Sequence, residues 1–236
     1  DQAVDENQQP FLEHLVELRS RILRSLAFVA ALFIPIYYFA KPLFTWVADP
    51  LMSRLPEGAG MIATQVASPF LAPFKLAIYA AIFVGIPFLL HQLWSFVSPG
   101  LYRHEKRFAL PLLLSSIALF YCGMAFSYFL VFPIVFSFMI EVGITDIPMQ
   151  TDINHYLDFV MKMFLAFGLA FEIPVATLLL AWSGLTTADA MAAKRPYIII
   201  GCFIIGMFLT PPDVVSQLLL ALPMWLLFEV GVMLAR

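Results

Sequence analysis

Apolar residues run through this chain in long blocks, and short polar stretches punctuate them. The blocks cover residues 22–39, 76–96, 109–140, 156–182, 197–209 and 214–234. They are too long for strands and too continuous for the one-sided helices of a soluble core. A membrane-spanning helix takes about 20 apolar residues. The pattern therefore predicts an all-α integral membrane protein: six transmembrane helices in a single domain over residues 1–236. The third block, at about 1.5 Å per residue, outruns a hydrocarbon core of about 30 Å and must tilt or project. The fifth and sixth are read as short helices. "TPPD" (210–213) makes a tight turn between them, and the fifth would cover only about 20 Å.

Ahead of the first block, "PFLEHLVELRSRILRSL" (10–26) has helical period, and residues 1–21 are expected to form an amphipathic cytoplasmic helix. Phe11, Leu12, Leu15, Leu18 and Ile22 share one stripe. Glu17 and Arg21 stand at i,i+4 in the favourable order. Between the first two blocks, "KPLFTWVADPLMSRLPEGAG" reads as a short interfacial helix and a Gly/Pro turn, with Lys41, Trp46 and Arg54 at headgroup level. Pro35, Pro87, Pro133, Pro174 and Pro223 each remove a backbone donor inside a span and kink it. Kinked helices side by side form a concave face.

Composition agrees with the pattern: 62% hydrophobic and only 12% charged residues, about half the charge of a soluble domain. A net charge of −3 gives no basic field for nucleic acid. Lys and Arg set the orientation. With the N-terminus inside, Arg19, Arg21, Arg24, Arg103, Lys106, Arg107, Lys194, Arg195 and Arg236 are cytoplasmic. Lys41, Arg54 and Lys75 are outside, so both termini are expected in the cytoplasm.

The chemistry on offer is sparse. Nucleotide-binding, hydrolase and metalloprotease patterns are missing, which argues against an enzyme, a metal or a cofactor. Cys122 and Cys202 read as small buried hydrophobes. Asp158 and Lys162 can pair at i,i+4 in the fourth span. Glu172, deeper in that span, has no partner at i±4, and Ser216 and Gln217 are its candidate companions. An ionisable residue at that depth is costly and marks a functional position. One reading is a proton-coupled small-solute transporter using Glu172. In "LYRHEKRF" (101–108), Glu105 sits among basic residues at the same membrane face as Glu17, which allows two carboxylates to share a cationic ligand.

Seven ordered segments carry a resemblance: "HLVELRSR", "MIATQVASPFLAPFKL", "FVSPGLYRHEKR", "FPIVF", "FGLAFEIPVA", "KRPYIIIG" and "LTPPDVVSQLLLALPMWLLFEVG". Together they resemble the TatC family, the multi-spanning receptor subunits of the twin-arginine protein translocase. The resemblance implies a chain of the bacterial cytoplasmic membrane that binds twin-arginine signal peptides of folded cargo. It implies single-span partners, TatB and TatA, a homo-oligomer within a larger complex, and transport driven by the proton-motive force. It assigns signal-peptide binding to Glu17, Arg19, Phe96, Arg103 and Glu105. It makes Glu172 a membrane-buried polar position, beside Gln217, and gives an outer-loop role to Pro50, Ser68 and Pro69. Two carboxylates suit two guanidinium groups, each a planar fork that lysine lacks.

Overall fold

The computed structural model describes residues 2–55, 59–101, 106–142, 150–209 and 214–236; Arg103 and Glu105 lie outside them. The first element, α1 (Gln2–Tyr38), is one continuous helix of 37 residues, about 55 Å long. Its apolar span begins at Leu15, so the amphipathic segment and the first span are one helix. A bend at Phe39 leads into α2 (Ala40–Met52), a short helix where the sequence predicts one. Next come β1 (Gly60–Ile62) and α3 (Ser68–Leu101). α1 lies along α3 in antiparallel fashion: Phe28 stacks on Phe88 at 4.3 Å, and Phe33 meets Phe74 edge-on at 5.1 Å.

The long third block forms α4 (Lys106–Phe126), a π-helical turn (Ser127–Val131) and α5 (Phe132–Val142). Pro133 explains the widened turn. It brings no N–H, and its ring crowds the carbonyl four residues back. The preceding Phe132 N–H bonds Ser127 O instead, five residues away. β2 (Gln150–Asp152) follows, then α6 (Ile153–Phe171) and α7 (Ile173–Trp182), parted at Glu172 just before Pro174. The short α8 (Ala188–Ala193) precedes α9 (Arg195–Leu209) and α10 (Val214–Leu234).

Among the described residues five stretches are long and apolar enough to cross a membrane, and the shorter Arg195–Phe208 accompanies them. Only one of the last two helices is short. α9 has 15 residues, about 22 Å, whereas α10 has 21 and reaches a full span.

The core lies where α4 and α6 meet α3, α5 and α10. Phe120, Phe132, Phe164 and Phe167 are buried there. Phe132 and Phe164 rings sit 5.2 Å apart, with Phe83 edge-on to Phe164 at 5.9 Å. Hydrocarbon does not push apolar helices together, so association rests on close packing. Small residues allow it. A Cβ on Gly123 of α4 would stand 2.3 Å from the Phe167 carbonyl oxygen of α6. One on Gly168 would stand 2.6 Å from the Phe120 ring. Cys202 is buried, but Cys122 is exposed on α4, contrary to expectation. One residue from Gly123, it falls off the face that meets α6.

The polar segments before α3 and α6, expected as separate loops, meet in a two-stranded parallel ladder. Gly60 faces Gln150, Met61 faces Thr151 and Ile62 faces Asp152. Asp152 locks this end. Its carboxylate accepts from Thr64 Oγ1 and N, and it caps α6 through the N–H groups of Asn154 and His155. Tyr128 and Tyr156 donate to the Trp46 and Val47 carbonyls, at 2.9 and 2.8 Å, and pin α2 on the bundle.

Two outcomes test this architecture. Gly123→Ala must push α4 from α6 and should destabilise the purified protein by about 1–3 kcal/mol. Gly201→Ala, where a Cβ meets nothing within 4 Å, should not lower the melting temperature in detergent. The second concerns pH. The Thr64 hydroxyl, then the backbone N–H groups, hold the Asp152 carboxyl down at about 2 against an ordinary 3.8. A depressed acid stabilises the fold above its unfolded pKa and loses that contribution as pH falls through the folded one. Hydrogen-exchange protection of the Asn154 and His155 amides should hold above pH 3.8 and fall as pH drops toward about 2.

Candidate functional site

Two polar centres stand on the helices that the sequence singled out. The first lies near the N-terminal end of the bundle, where α1 crosses α3. Arg21 donates from Nε and Nη2 to Glu17 Oε1, at 2.9 and 2.6 Å. The same guanidinium reaches α3, with Nη1 at 3.3 Å from Gln92 Oε1 and Nη2 at 3.2 Å from the Ser95 carbonyl. The i,i+4 pair is therefore more than a surface ion pair: Arg21 also ties α1 to the end of α3. The Glu17 side chain keeps 39% exposure against 20% for Arg21, so the acid remains reachable. Arg19 is exposed, and Phe96, one residue beyond Ser95, is half-buried.

The second centre lies inside the bundle. Glu172 occupies the break between α6 and α7. Its Oε2 accepts from the Ser116 hydroxyl of α4, and Trp94 Nε1 of α3 reaches Ser116 Oγ at 3.4 Å. Oε1 is buried without a hydrogen-bond partner among the described residues. Three helices thus converge on one carboxyl group, with only one of its two oxygens satisfied.

The chain matches the family model described as "Sec-independent protein translocase protein (TatC)" over residues 13–223. A relative of that name from Azotobacter chroococcum is 57% identical, covering 96% of this chain and 89% of its own. The namesake from Escherichia coli K12 is 48% identical, covering 98% of this chain and 90% of its own. The fold superposes on the crystal structure of the twin-arginine translocase receptor TatC with a TM-score of 0.85 and 36% identity, covering 94% of this chain and 97% of that one. This chain belongs to the TatC family.

On this TatC-family fold the residues singled out by sequence fall into separate places. Glu17, Arg19 and Phe96 gather near the end where α1 crosses α3, while Arg103 and Glu105 lie outside the described residues. Gln217 does not join Glu172. It donates to the Phe203 carbonyl at 3.0 Å and bridges α10 to α9. Glu172 is held by Ser116, 56 residues away in sequence, and the side chain of Ser216 is outside the description. Pro50 is buried in α2, and Ser68 is buried at the start of α3, where Asn154 Nδ2 donates to its hydroxyl at 2.6 Å. Pro69 beside it is exposed.

The expected Asp158–Lys162 pair does not form. Asp158 takes Lys75 of α3 instead, at 2.7 Å. Asp158 and Glu172, 14 residues apart on the α6 line, are about 20 Å apart. Asp158 therefore does not join Glu172 in one site, which leaves the transporter reading with Glu172 and, among the described residues, no second ionisable group beside it. Sequence also missed Arg195 and Glu229, which form a bidentate pair at 2.6 and 2.7 Å between α9 and α10. Their complementary charges were visible, but not that the short α9 brings them together.

Ser116→Ala should leave the Glu172 carboxyl without its hydroxyl donor and cost about 1–3 kcal/mol. Glu172→Gln keeps an acceptor for Ser116 and should cost less. Unfolding of both purified variants in detergent checks the order; no loss in Ser116→Ala would mean that the hydroxyl contributes nothing.

Proposed function

We propose that this chain is the receptor core of a twin-arginine protein translocase. It spans the bacterial cytoplasmic membrane six times as one domain, with α9 as the short fifth span and both termini cytoplasmic. Nine basic residues on the inner segments against three on the outer ones support that orientation. It binds the arginine pair of signal peptides on folded cargo and assembles with TatB, TatA and further copies of itself for export driven by the proton-motive force. The observation that carries this reading is the likeness to the twin-arginine translocase receptor, which extends over 94% of the chain.

The signal site is built on Glu17 and Glu105, with Arg19, Phe96 and Arg103 around them. A twin-arginine motif presents two guanidinium forks, and each carboxylate takes one. Glu17 already holds Arg21, so an arriving arginine meets an oriented acid and exchanges with, or adds to, a guanidinium of its own kind. Each contact at so exposed a site is worth about 1 kcal/mol or less, so discrimination needs both acids together. Glu172 and Gln217 are polar positions within the membrane, while Pro50, Ser68 and Pro69 shape the outer end.

Photo-crosslinking of a twin-arginine peptide to the purified protein tests the site. The wild type should crosslink more strongly than with a Lys-Lys peptide, and Glu17→Gln and Glu105→Gln should each weaken the contact. No preference over Lys-Lys would defeat the receptor reading. Preference that survives both substitutions would move the site elsewhere.

A further inference from the structure

At the ladder end of the bundle a cleft of about 440 Å³ opens between α3 and α6. Leu71, Phe74 and Ile78 of α3 line its apolar wall, and Lys75, Asp152, His155 and Asp158 supply the charged and polar groups. The Lys75–Asp158 pair across it is incompletely buried, with side chains 33% and 40% exposed. Phe74 and Ile78 are themselves more than a third exposed, so the wall continues onto the membrane-facing surface.

A second observation comes from α6. His155, Asp158, Lys162, Leu165 and Leu169 recur at helical spacing, and all but the half-buried Asp158 are exposed. Lys162 lies about 14 Å into the helix on this stripe and makes no ion pair or hydrogen bond among the described residues. An unpaired ammonium at that depth is costly, and its flexible stem lets it reach back to headgroup level. It needs an anion there.

We propose that this cleft binds a phospholipid with an ethanolamine headgroup. The order of charges along the membrane normal selects it. Asp152 is outermost, at the start of α6, Asp158 and Lys75 lie about 9 Å deeper, and Lys162 deeper still. An ethanolamine lipid carries its ammonium outside its phosphate, so the ammonium meets the acids and the phosphate meets the two lysines. The acyl chains continue down past Ile78 and Leu165. Asp152 stays ionised throughout the neutral range, because Thr64 and the helix N–H groups hold its proton off. A choline headgroup cannot donate hydrogen bonds to these carboxylates. A glycerol headgroup brings no cation to them. The site is independent of where the signal peptide binds.

Native mass spectrometry of the delipidated full chain, titrated with palmitoyl-oleoyl phosphatidylethanolamine, phosphatidylcholine and phosphatidylglycerol, tests it. The wild type should retain phosphatidylethanolamine about fivefold better than the other two, the yield of one exposed charge-assisted contact. Asp158→Asn should abolish the preference over phosphatidylcholine. Lys162→Leu, an exposed change with no ion pair or hydrogen bond to lose among the described residues, should lower retention of all three lipids. Equal retention by the wild type, or either variant behaving like the wild type, overturns the proposal.

Discussion

Hydrocarbon supplies no hydrogen bonds, so each place where a spanning helix breaks has to satisfy its own backbone. Among the described residues three breaks show this, at Phe39, before Pro133 and at Glu172. At Phe39 the chain turns into α2, whose carbonyls at Trp46 and Val47 receive the phenol groups of Tyr128 and Tyr156. Before Pro133 the helix widens into a π turn, and Ser127 O keeps a partner. At Glu172 the N–H still reaches the Leu169 carbonyl, and beyond it Thr177 Oγ1 donates to the Pro174 carbonyl. Tyr128 belongs to the π turn and also stacks on Trp46 at 4.4 Å. The second break is thus closed against the element that follows the first.

The two ends of the bundle follow from this unequally. The ladder end is cross-linked by short bonds between elements far apart in sequence: β1 to β2, Ser68 to Asn154, Lys75 to Asp158, Arg54 to Ser137. The opposite end depends on guanidinium–carboxylate pairs, Arg21 with Glu17 and Arg195 with Glu229, of which the first stays partly open to water. Rigid packing suits an end that holds helices in register. Exchangeable ion pairs suit an end that meets a charged ligand. α1 sharpens the contrast, since its spanning stretch has no buried residue and leans on α3 alone for most of its length. Arg21 ties the carboxylate on it to α3.

Sequence disclosed the elements well because hydrophobic runs and prolines act locally. The six blocks, the interfacial helix and the break at Pro174 all needed nothing beyond their own residues. It failed where a partner comes from another helix. Asp158 had two bases in reach, and the one at i+4 looked natural, yet Lys75 lies across the groove where α3 meets α6. Ser116 is one of many serines in apolar runs, and nothing near it announces a carboxyl group 56 residues away. The parallel ladder was invisible for the same reason: its strands are three residues each, with two long helical blocks between them. Cys122 misled because membrane proteins turn apolar residues outward, so hydrophobicity there does not imply burial.

Glu17 shows why the same reasoning matters for the site. An acid at i−4 from an arginine on an amphipathic helix is an ordinary surface feature worth a few tenths of a kcal/mol. What changes its meaning is the second use of Arg21, which spends its remaining donors on Gln92 and the Ser95 carbonyl. The guanidinium is then anchored on α3, and the carboxylate it holds is oriented near the end of that helix. An acid prepared in this way gains little from a point charge such as lysine, because a cation is already present. A planar fork gains more, since it can add directed hydrogen bonds to a carboxylate whose orientation is set. On the proposed function, the intramolecular arginine is therefore the standard against which an incoming signal is compared, and selectivity arises from that difference.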